Sequence, residues 1–141
     1  MEELFLMIRA LIALVVTLAL TPLGAPAATC AGANPAITSV VVKNVTSNGQ
    51  LNTYHIVGTV TNLGSQAQPS NTLQFVDIYA ETDKHDDRGV PPLAPGQSYS
   101  FGYDWQRSTD AGSGTTTVHF RIEMRQGSNC NPANGTNSVT F

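Results

Sequence analysis

The chain has 141 residues, of which 41% are hydrophobic and 12% are charged, and its formal net charge is −3 at pH 7. This weak negative charge excludes the basic surface that binding to nucleic acid or to an anionic membrane requires. The regular spacing of the apolar residues excludes a disordered chain, since disordered segments lack a patterned apolar face.

The first predicted element is a cleavable signal peptide helix over residues 1–27. Arg9 gives a basic start, residues 10–20 form an apolar run, and Ala25 and Ala27 are the small residues expected before a cleavage site. The apolar run is roughly half of the 20 residues that a membrane span needs. We therefore expect export of the chain, with no stable membrane insertion after cleavage.

The mature chain is predicted to begin at Ala28 and to form one domain over residues 28–141, a length that suits a single core. It carries six Lys or Arg and eight Asp or Glu, a formal charge of −2. Met7 is an alternative start, because the residues after it make a more usual signal sequence. A lipid on Cys30 also stays open, although Thr29 is a poor residue before a lipidated cysteine.

Alternation of apolar and polar residues predicts strands along the mature chain and no helix. The first two strands cover residues 37–43 and 52–62. A third covers residues 73–81, where one face is uncharged and the other holds an aspartate between two aromatic residues. We assign the uncharged face of this strand, which carries Val76 and Ile78, to the core.

The stretch "PPLAPGQSYSFGYDW" is a Pro- and Gly-rich turn followed by a strand with aromatic residues at every second position. Tyr99, Phe101, Tyr103 and Trp105 therefore share one face. Burying an aromatic side chain contributes about 1.5 to 3 kcal/mol, so this face is predicted to belong to the core. The alternative is an exposed platform that stacks on sugar rings, with Tyr103 and Trp105 as its best candidates.

The clearest alternation lies in residues 115–126, where Val118, Phe120, Ile122 and a methionine alternate with charged residues and a histidine. Such a pattern is typical of a strand with one face in water. Residues 136–141 are predicted to form the last strand. The predicted core residues are Val60, Val76, Ile78, Leu93, Tyr99, Phe101, Tyr103, Val118, Phe120 and Ile122.

The two cysteines, Cys30 and Cys130, are predicted to form a disulfide because an exported chain meets an oxidising environment. Each precedes a strand at one terminus of the domain, so both would lie at one end of the sheet if those strands were parallel neighbours. The other chemical roles of cysteine lack support, because the chain has no CxxC motif and no histidine close to either residue.

Three segments together resemble the CARDB family, the cell-adhesion-related domain found in bacteria and archaea. They are "VGTVTNLGSQAQPSNTLQFVDIYAE", "VPPLAPGQSYSFGYDW" and "VHFRIEMRQGSNCNPANGTNSVTF". The matching motif residues are Asn62, Gly64, Leu93, Pro95, Gly96, Asn131, Asn134 and Asn137. The resemblance implies an all-β, immunoglobulin-like antiparallel sandwich of about seven strands. The family's acidic residues before the last strand are replaced by "SNCNPANG", so no cation site is expected at that turn.

Residues 81–89 are predicted to form a loop, and they are the densest charged segment of the chain. Loops on a rigid sandwich often carry recognition, so this loop is the candidate binding site. A calcium site made of its aspartates is an alternative, but their spacing does not match a calcium loop. The candidate binding residues are Asp83, Lys84, His85, Asp86, Asp87 and Arg88.

No enzyme motif accompanies the histidines His55, His85 and His119, so we expect no catalysis, no cofactor and no metal. The predicted function is an exported binding or adhesion module at the cell surface or outside the cell. Its partner would be an extracellular protein or carbohydrate, and the chain would be a monomer by default. Two alternatives stay open: an accessory structural subunit joined through edge strands, and a protease inhibitor acting through the same loops.

Overall fold

The computed structural model describes residues 30–110 and 114–141, so the predicted signal peptide lies outside the described residues. The described chain consists of seven strands and one short 3₁₀ helix at Pro132–Asn134. Within those ranges, no helix has the length and apolarity needed to span a membrane. The strands are β1 (Pro35–Ser47), β2 (Leu51–Asn62), β3 (Leu73–Ala80), β4 (Asp83–Val90), β5 (Ser98–Ser108), β6 (Thr117–Gln126) and β7 (Thr136–Thr140).

The strands form two antiparallel sheets that pack face to face. The three-stranded sheet has the order β1-β2-β5, and the four-stranded sheet has the order β4-β3-β6-β7. This arrangement confirms the predicted all-β sandwich of seven strands. The first and last strands are not paired neighbours in one sheet, however. They lie in different sheets, and the side-chain amide of Asn137 on β7 donates a hydrogen bond to the carbonyl of Ile37 on β1 over 3.2 Å.

The core lies between the sheets and follows the alternation of the sequence. It consists of Ile37, Ile56, Val60, Val76, Ile78, Val90, Leu93, Phe101, Val118 and Phe120. The rings of Phe101 on β5 and Phe120 on β6 join the two sheets, with centroids 5.7 Å apart. Because each large apolar side chain contributes about 1.5 to 3 kcal/mol when it is buried, these inward rows stabilise the sandwich.

Three of the predicted core residues lie nearer the surface. Tyr103 and Ile122 are partly buried and pack against the core. Tyr99 is 36% exposed, whereas Phe101, two residues later on the same face, is only 5% exposed. Tyr99 is the second residue of β5, so it lies at the rim of the sheet. The alternation identified the face correctly but not the depth of this residue.

The predicted charged loop is mostly a strand. Only residues 81 and 82 form a turn, and Asp83–Val90 is β4, which pairs with β3 along its length. The prediction was wrong because eight largely charged residues do not show the apolar alternation of a half-buried strand. β4 lies at the edge of its sheet, where charged side chains keep the strand from pairing with other chains.

One end of the sandwich, which we call the closed end, is held together by buried amides. The side chain of Asn62 is completely buried. Its oxygen accepts hydrogen bonds from the backbone N–H groups of Asn34 and Gly64, over 2.9 and 3.0 Å. Its nitrogen donates to the carbonyls of Gln66 and Leu93, over 2.9 and 3.0 Å. A single side chain thus fixes four backbone groups from three segments.

Two further features complete the closed end. The side-chain amides of Gln68 and Gln74 are buried and pair reciprocally, over 2.9 and 2.8 Å. Cys30 and Cys130 form the predicted disulfide, with Cα atoms 5.7 Å apart. At Gly64 a side chain would overlap the carbonyl oxygen of Gly32, so only glycine allows this close approach of two backbones.

The opposite end, which we call the open end, carries the β1–β2 turn, the β3–β4 turn and Phe141. The β1–β2 turn is stabilised by Asn48, whose side-chain oxygen accepts hydrogen bonds from the backbone of Gln50 and Leu51. The ring of Phe141 stacks on Tyr54 with centroids 4.1 Å apart. These contacts are partly or largely exposed, in contrast to the buried amides of the closed end.

Candidate binding surface

The outer face of the four-stranded sheet carries a cluster of charged side chains. The three-stranded sheet, by contrast, presents mainly threonine, serine and valine to solvent. We call the outward side chains of β3, β4 and β6 the charged face. Its residues are Phe75, Asp77, Tyr79, Lys84, Asp87, Arg121, Glu123 and Arg125.

Asp77 occupies the centre of the charged face and is only 4% exposed. Lys84 donates a hydrogen bond to it over 2.8 Å, and the Tyr79 hydroxyl donates one over 3.3 Å. Lys84 also pairs with Asp87 over 3.1 Å. The hydrogen bond to Asp77 raises the pKa of Lys84 above its ordinary value, although partial desolvation of the ammonium opposes this shift. The lysine therefore stays charged and neutralises the buried carboxylate.

Two arginines of β6 flank this centre, and each covers an aromatic ring of β3. The guanidinium of Arg125 lies 3.8 Å from the centroid of Phe75 and 3.3 Å from a carboxylate oxygen of Asp87. Arg121 lies 5.1 Å from the centroid of Tyr79 and donates a hydrogen bond to its hydroxyl over 2.8 Å. Such cation–π contacts hold long side chains in place, so the charged face has a defined shape.

A groove of about 350 Å³ runs along the seam between β4 and β5. Arg88 spans it, with its Nε donating to the carbonyl of Gly102 over 2.9 Å and its Nη1 lying 2.7 Å from Asp86. Burial favours a higher pKa for Asp86, but the backbone N–H of Asp87 and the Arg88 guanidinium outweigh it and lower that pKa. Burial raises the pKa of the Tyr103 hydroxyl, and the Asp86 carboxylate adds to the increase.

Four of the six residues predicted to bind are divided between two surfaces, and the other two lie on neither. Lys84 and Asp87 belong to the charged face, whereas Asp86 and Arg88 line the seam. His85 lies against the ring of Trp105, with centroids 5.1 Å apart. Asp83 is exposed at the start of β4.

Sequence reasoning gave no binding role to the other members of the charged face. The sequence did indicate that they face solvent. Asp77 alternates with the core residues of β3, and the two arginines lie on the predicted solvent-exposed face of β6. The register that places Asp77 opposite Arg121 and Asp87 could not be read from either strand alone.

Comparison with known proteins identifies the fold family. The CARDB family model matches residues 36–127, which is most of the domain. The chain belongs to the CARDB family. No curated protein matches this CARDB chain.

Two solved structures are similar to this CARDB chain. One is the 272–376 domain of a protein from Methanosarcina acetivorans described as a cell surface protein. It has 15% sequence identity and a TM-score of 0.58, and the match covers 77% of this chain and 90% of that one. The other is the CARDB domain of a Pyrococcus furiosus protein, crystallised in complex with di-metal ions. It has 16% identity and a TM-score of 0.58, with 82% of this chain and 92% of that one covered.

The three-stranded sheet of this CARDB domain carries a row of polar residues that resembles a catalytic relay. Asp104 lies 2.7 Å from Nδ1 of His55, and Nε2 of His55 lies 3.0 Å from the hydroxyl of Thr46. All three side chains project from paired strands, whose N–H groups lie in the plane of the sheet. Acyl transfer needs N–H donors aimed at the developing oxyanion, and the paired backbone around Thr46 does not direct them outward.

The aspartates of β4 do not form a metal cluster. Asp86 pairs with Arg88, and Asp87 pairs with both Lys84 and Arg125. In the described part of the chain, no group of three or more His, Cys, Asp and Glu residues is placed to hold a metal ion. Positive side chains thus pair with two of the three β4 aspartates that a calcium site there would use.

Proposed function

We propose that this CARDB domain is an exported, non-catalytic module that binds an extracellular protein or carbohydrate at the cell surface or outside the cell. Membership of the CARDB family supports this proposal, as does the similarity to a domain of a protein described as a cell surface protein.

The observation that carries the proposal is that the side chains of the charged face hold one another in fixed positions. Arg125 and Arg121 stack on aromatic rings, and the central Asp77 is neutralised by Lys84. Arginine and aromatic residues are enriched among those that dominate binding energy at protein surfaces. Since these side chains are already fixed, they would lose little further conformational freedom when a partner contacts them. We therefore propose that the binding surface includes this sheet face.

The test uses the purified protein and intact cells of the organism that produces it. Arg125→Gln removes one charge and one ring contact at a position that is 45% exposed, so the fold should survive. We expect binding to the cells to weaken by about fivefold or more, the loss typical of a residue at the centre of an interface. Lys43→Gln, on the exposed edge strand β1, is the matched control and should bind as the wild type does. Equal binding by all three proteins would overturn the proposal.

The two alternatives make different predictions in the same experiment. A structural subunit joined through edge strands would associate into large oligomers as its concentration rises, independently of Arg125. A protease inhibitor would slow a protease stoichiometrically and would not bind washed cells. Sedimentation of the purified protein over a wide concentration range, together with inhibition assays, separates both alternatives from the proposal.

A further inference from the structure

A shallow depression of about 330 Å³ lies where the outer side of the four-stranded sheet meets the open end. β3, β6 and β7 each contribute side chains to it. A second depression adjoins it, shares Glu81 and His119, and extends to Thr117. The side chains that matter for its chemistry are those of Tyr79, Glu81, His119, Arg121, Thr136 and Ser138.

Glu81 is unusual in both its backbone and its side chain. Its φ angle is 56°, and it is the only non-glycine residue with a positive φ in residues 30–110 and 114–141. Glycine or asparagine adopts this left-handed conformation more readily than glutamate does. The carboxylate makes no hydrogen bond or ion pair within those ranges. Glutamate is thus unfavourable for the backbone at this turn, and its carboxylate stabilises no neighbouring residue through a hydrogen bond or ion pair. A strained residue of this kind is a candidate for a functional role.

Arg121 is fixed on the opposite side of the depression. Its guanidinium covers the ring of Tyr79, donates to the Tyr79 hydroxyl and lies 3.7 Å from Glu123. Guanidinium groups have five N–H donors, and these contacts leave some of them unused. His119 is exposed on the same strand, and its imidazole has no hydrogen-bond partner in the described part of the chain.

These groups define the chemistry of a ligand. Glu81 can only accept hydrogen bonds and Arg121 can only donate them, whereas the hydroxyls of Thr136 and Ser138 do both. An anionic ligand would satisfy Arg121 but would meet the Glu81 carboxylate, and a cationic ligand would meet the guanidinium. A neutral ligand with several hydroxyl groups suits all of them, because each hydroxyl both donates and accepts.

The size of the depression is consistent with part of a chain molecule. Ligand pockets are typically about 300 to 1,000 Å³, so this depression is at the small end of the range. It is also open, and the adjoining depression continues it towards Thr117. Such an arrangement fits a short stretch of a polymer better than an enclosed small molecule.

We propose that this depression binds a neutral oligosaccharide, with Glu81 accepting hydrogen bonds from sugar hydroxyls and Arg121 donating to sugar oxygens. The proposal rests on the binding function proposed above and specifies the ligand class and the place of contact. It differs from the sugar-stacking platform considered for Tyr103 and Trp105, because those residues lie on the inner face of the other sheet.

The first experiment titrates the isotope-labelled protein with soluble hexasaccharides and follows the backbone NMR signals. The probes are neutral gluco-, manno- and galacto-oligosaccharides, and an oligogalacturonate of the same length provides the anionic comparison. We expect at least one neutral sugar to give saturable shifts confined to the β3–β4 turn and to the open-end halves of β6 and β7. Preferential binding of the oligogalacturonate, or shifts that lie mainly elsewhere, would overturn the proposal.

Variants then separate binding from folding. Glu81→Gln keeps the shape of the side chain but removes its charge, and Ser138→Leu fills the depression. Each should weaken sugar binding by about tenfold or more, the effect of losing a hydrogen bond to a charged group or of blocking a site. Asp104→Asn makes the same carboxylate-to-amide change on the other sheet and should bind as the wild type does.

Glu81→Gly distinguishes a ligand-binding residue from a structural one. Glycine relieves the backbone strain, so this variant should melt at a higher temperature than the wild type while binding sugar at least tenfold more weakly. A structural role for Glu81 would instead lower the melting temperature and leave binding unchanged. If no neutral sugar binds but Arg125-dependent binding to intact cells remains, the sugar proposal fails and the proposed function stands.

Discussion

The two ends of the sandwich differ in how far buried polar side chains join separate segments of the chain. At the closed end, Asn62 bonds four backbone groups, Gln68 and Gln74 pair with each other, and a disulfide joins the first and last segments. At the open end, the contacts are turn hydrogen bonds, exposed hydrogen bonds between neighbouring segments and one ring stack, and the Glu81 carboxylate has no partner in the described residues.

This difference indicates a division of labour between the ends. Buried polar side chains that bond several segments help to specify one structure and are costly to disturb, so the closed end serves the fold. Unpaired and strained groups contribute nothing to folding and are available to a ligand. Substitutions at the closed end should therefore change stability, and those at the open end should change binding.

Removal of the disulfide should give the largest effect. In the chain-entropy model, a bond that closes a loop of about 100 residues stabilises by up to roughly 4.7 kcal/mol, and Cys30 and Cys130 are 100 residues apart. The double variant Cys30→Ser/Cys130→Ser should lose a large part of that free energy of unfolding in urea. The sandwich should remain folded, since the core between the sheets does not depend on the bond. Unchanged stability would mean that the bond does not restrain the unfolded chain.

Phe101→Ala tests the core between the two ends. The ring is 5% exposed and meets Phe120, so its loss should destabilise by about 3 to 5 kcal/mol. Tyr99→Ala, on the same face at the rim of the closed end, should cost about 1 kcal/mol because the ring is already 36% exposed. Equal losses of unfolding free energy in urea would contradict the deeper burial of Phe101 relative to Tyr99.

A pair of asparagines compares the ends directly. Asn62→Ala leaves four backbone groups without their partner, in bonds of which three are buried, and should destabilise by about 3 kcal/mol. Asn48→Ala removes two turn hydrogen bonds in an exposed segment, where water can replace them, and should cost about 1 kcal/mol. Both are measured by urea denaturation. A larger loss for the open-end variant would reverse the proposed division of labour.

The smallest effect is expected from exchanging residues at left-handed backbone positions. Glu81→Gly at the open end should stabilise by about 1 kcal/mol, and Gly96→Ala at the closed end, where φ is 74°, should destabilise by about the same amount. Differential scanning calorimetry should show a higher melting temperature for Glu81→Gly and a lower one for Gly96→Ala. Destabilisation by Glu81→Gly would mean that the glutamate side chain supports the turn.

Sequence reasoning predicted the sandwich from local alternation, which is strong wherever one face of a strand is buried, as in β2, β5 and β6. It missed β4 because a charged edge strand lacks that signal. It also missed Asp77 and the two arginines as a group, since their contacts depend on the register between β3, β4 and β6. The role of Asn62 was visible only as a family motif, because its four partners come from segments that are distant along the chain.

The disulfide has a mechanical consequence as well. A pulling force applied at residue 30 and at residue 141 would pass through the Cys30–Cys130 bond and would bypass the first six strands. Only residues 131–141, which include β7, lie beyond the bond and could be drawn out, to roughly 40 Å at about 3.3 to 3.6 Å per residue. Under tension the domain would therefore lengthen by this segment alone, while the bond keeps β1 to β6 out of the path of the force.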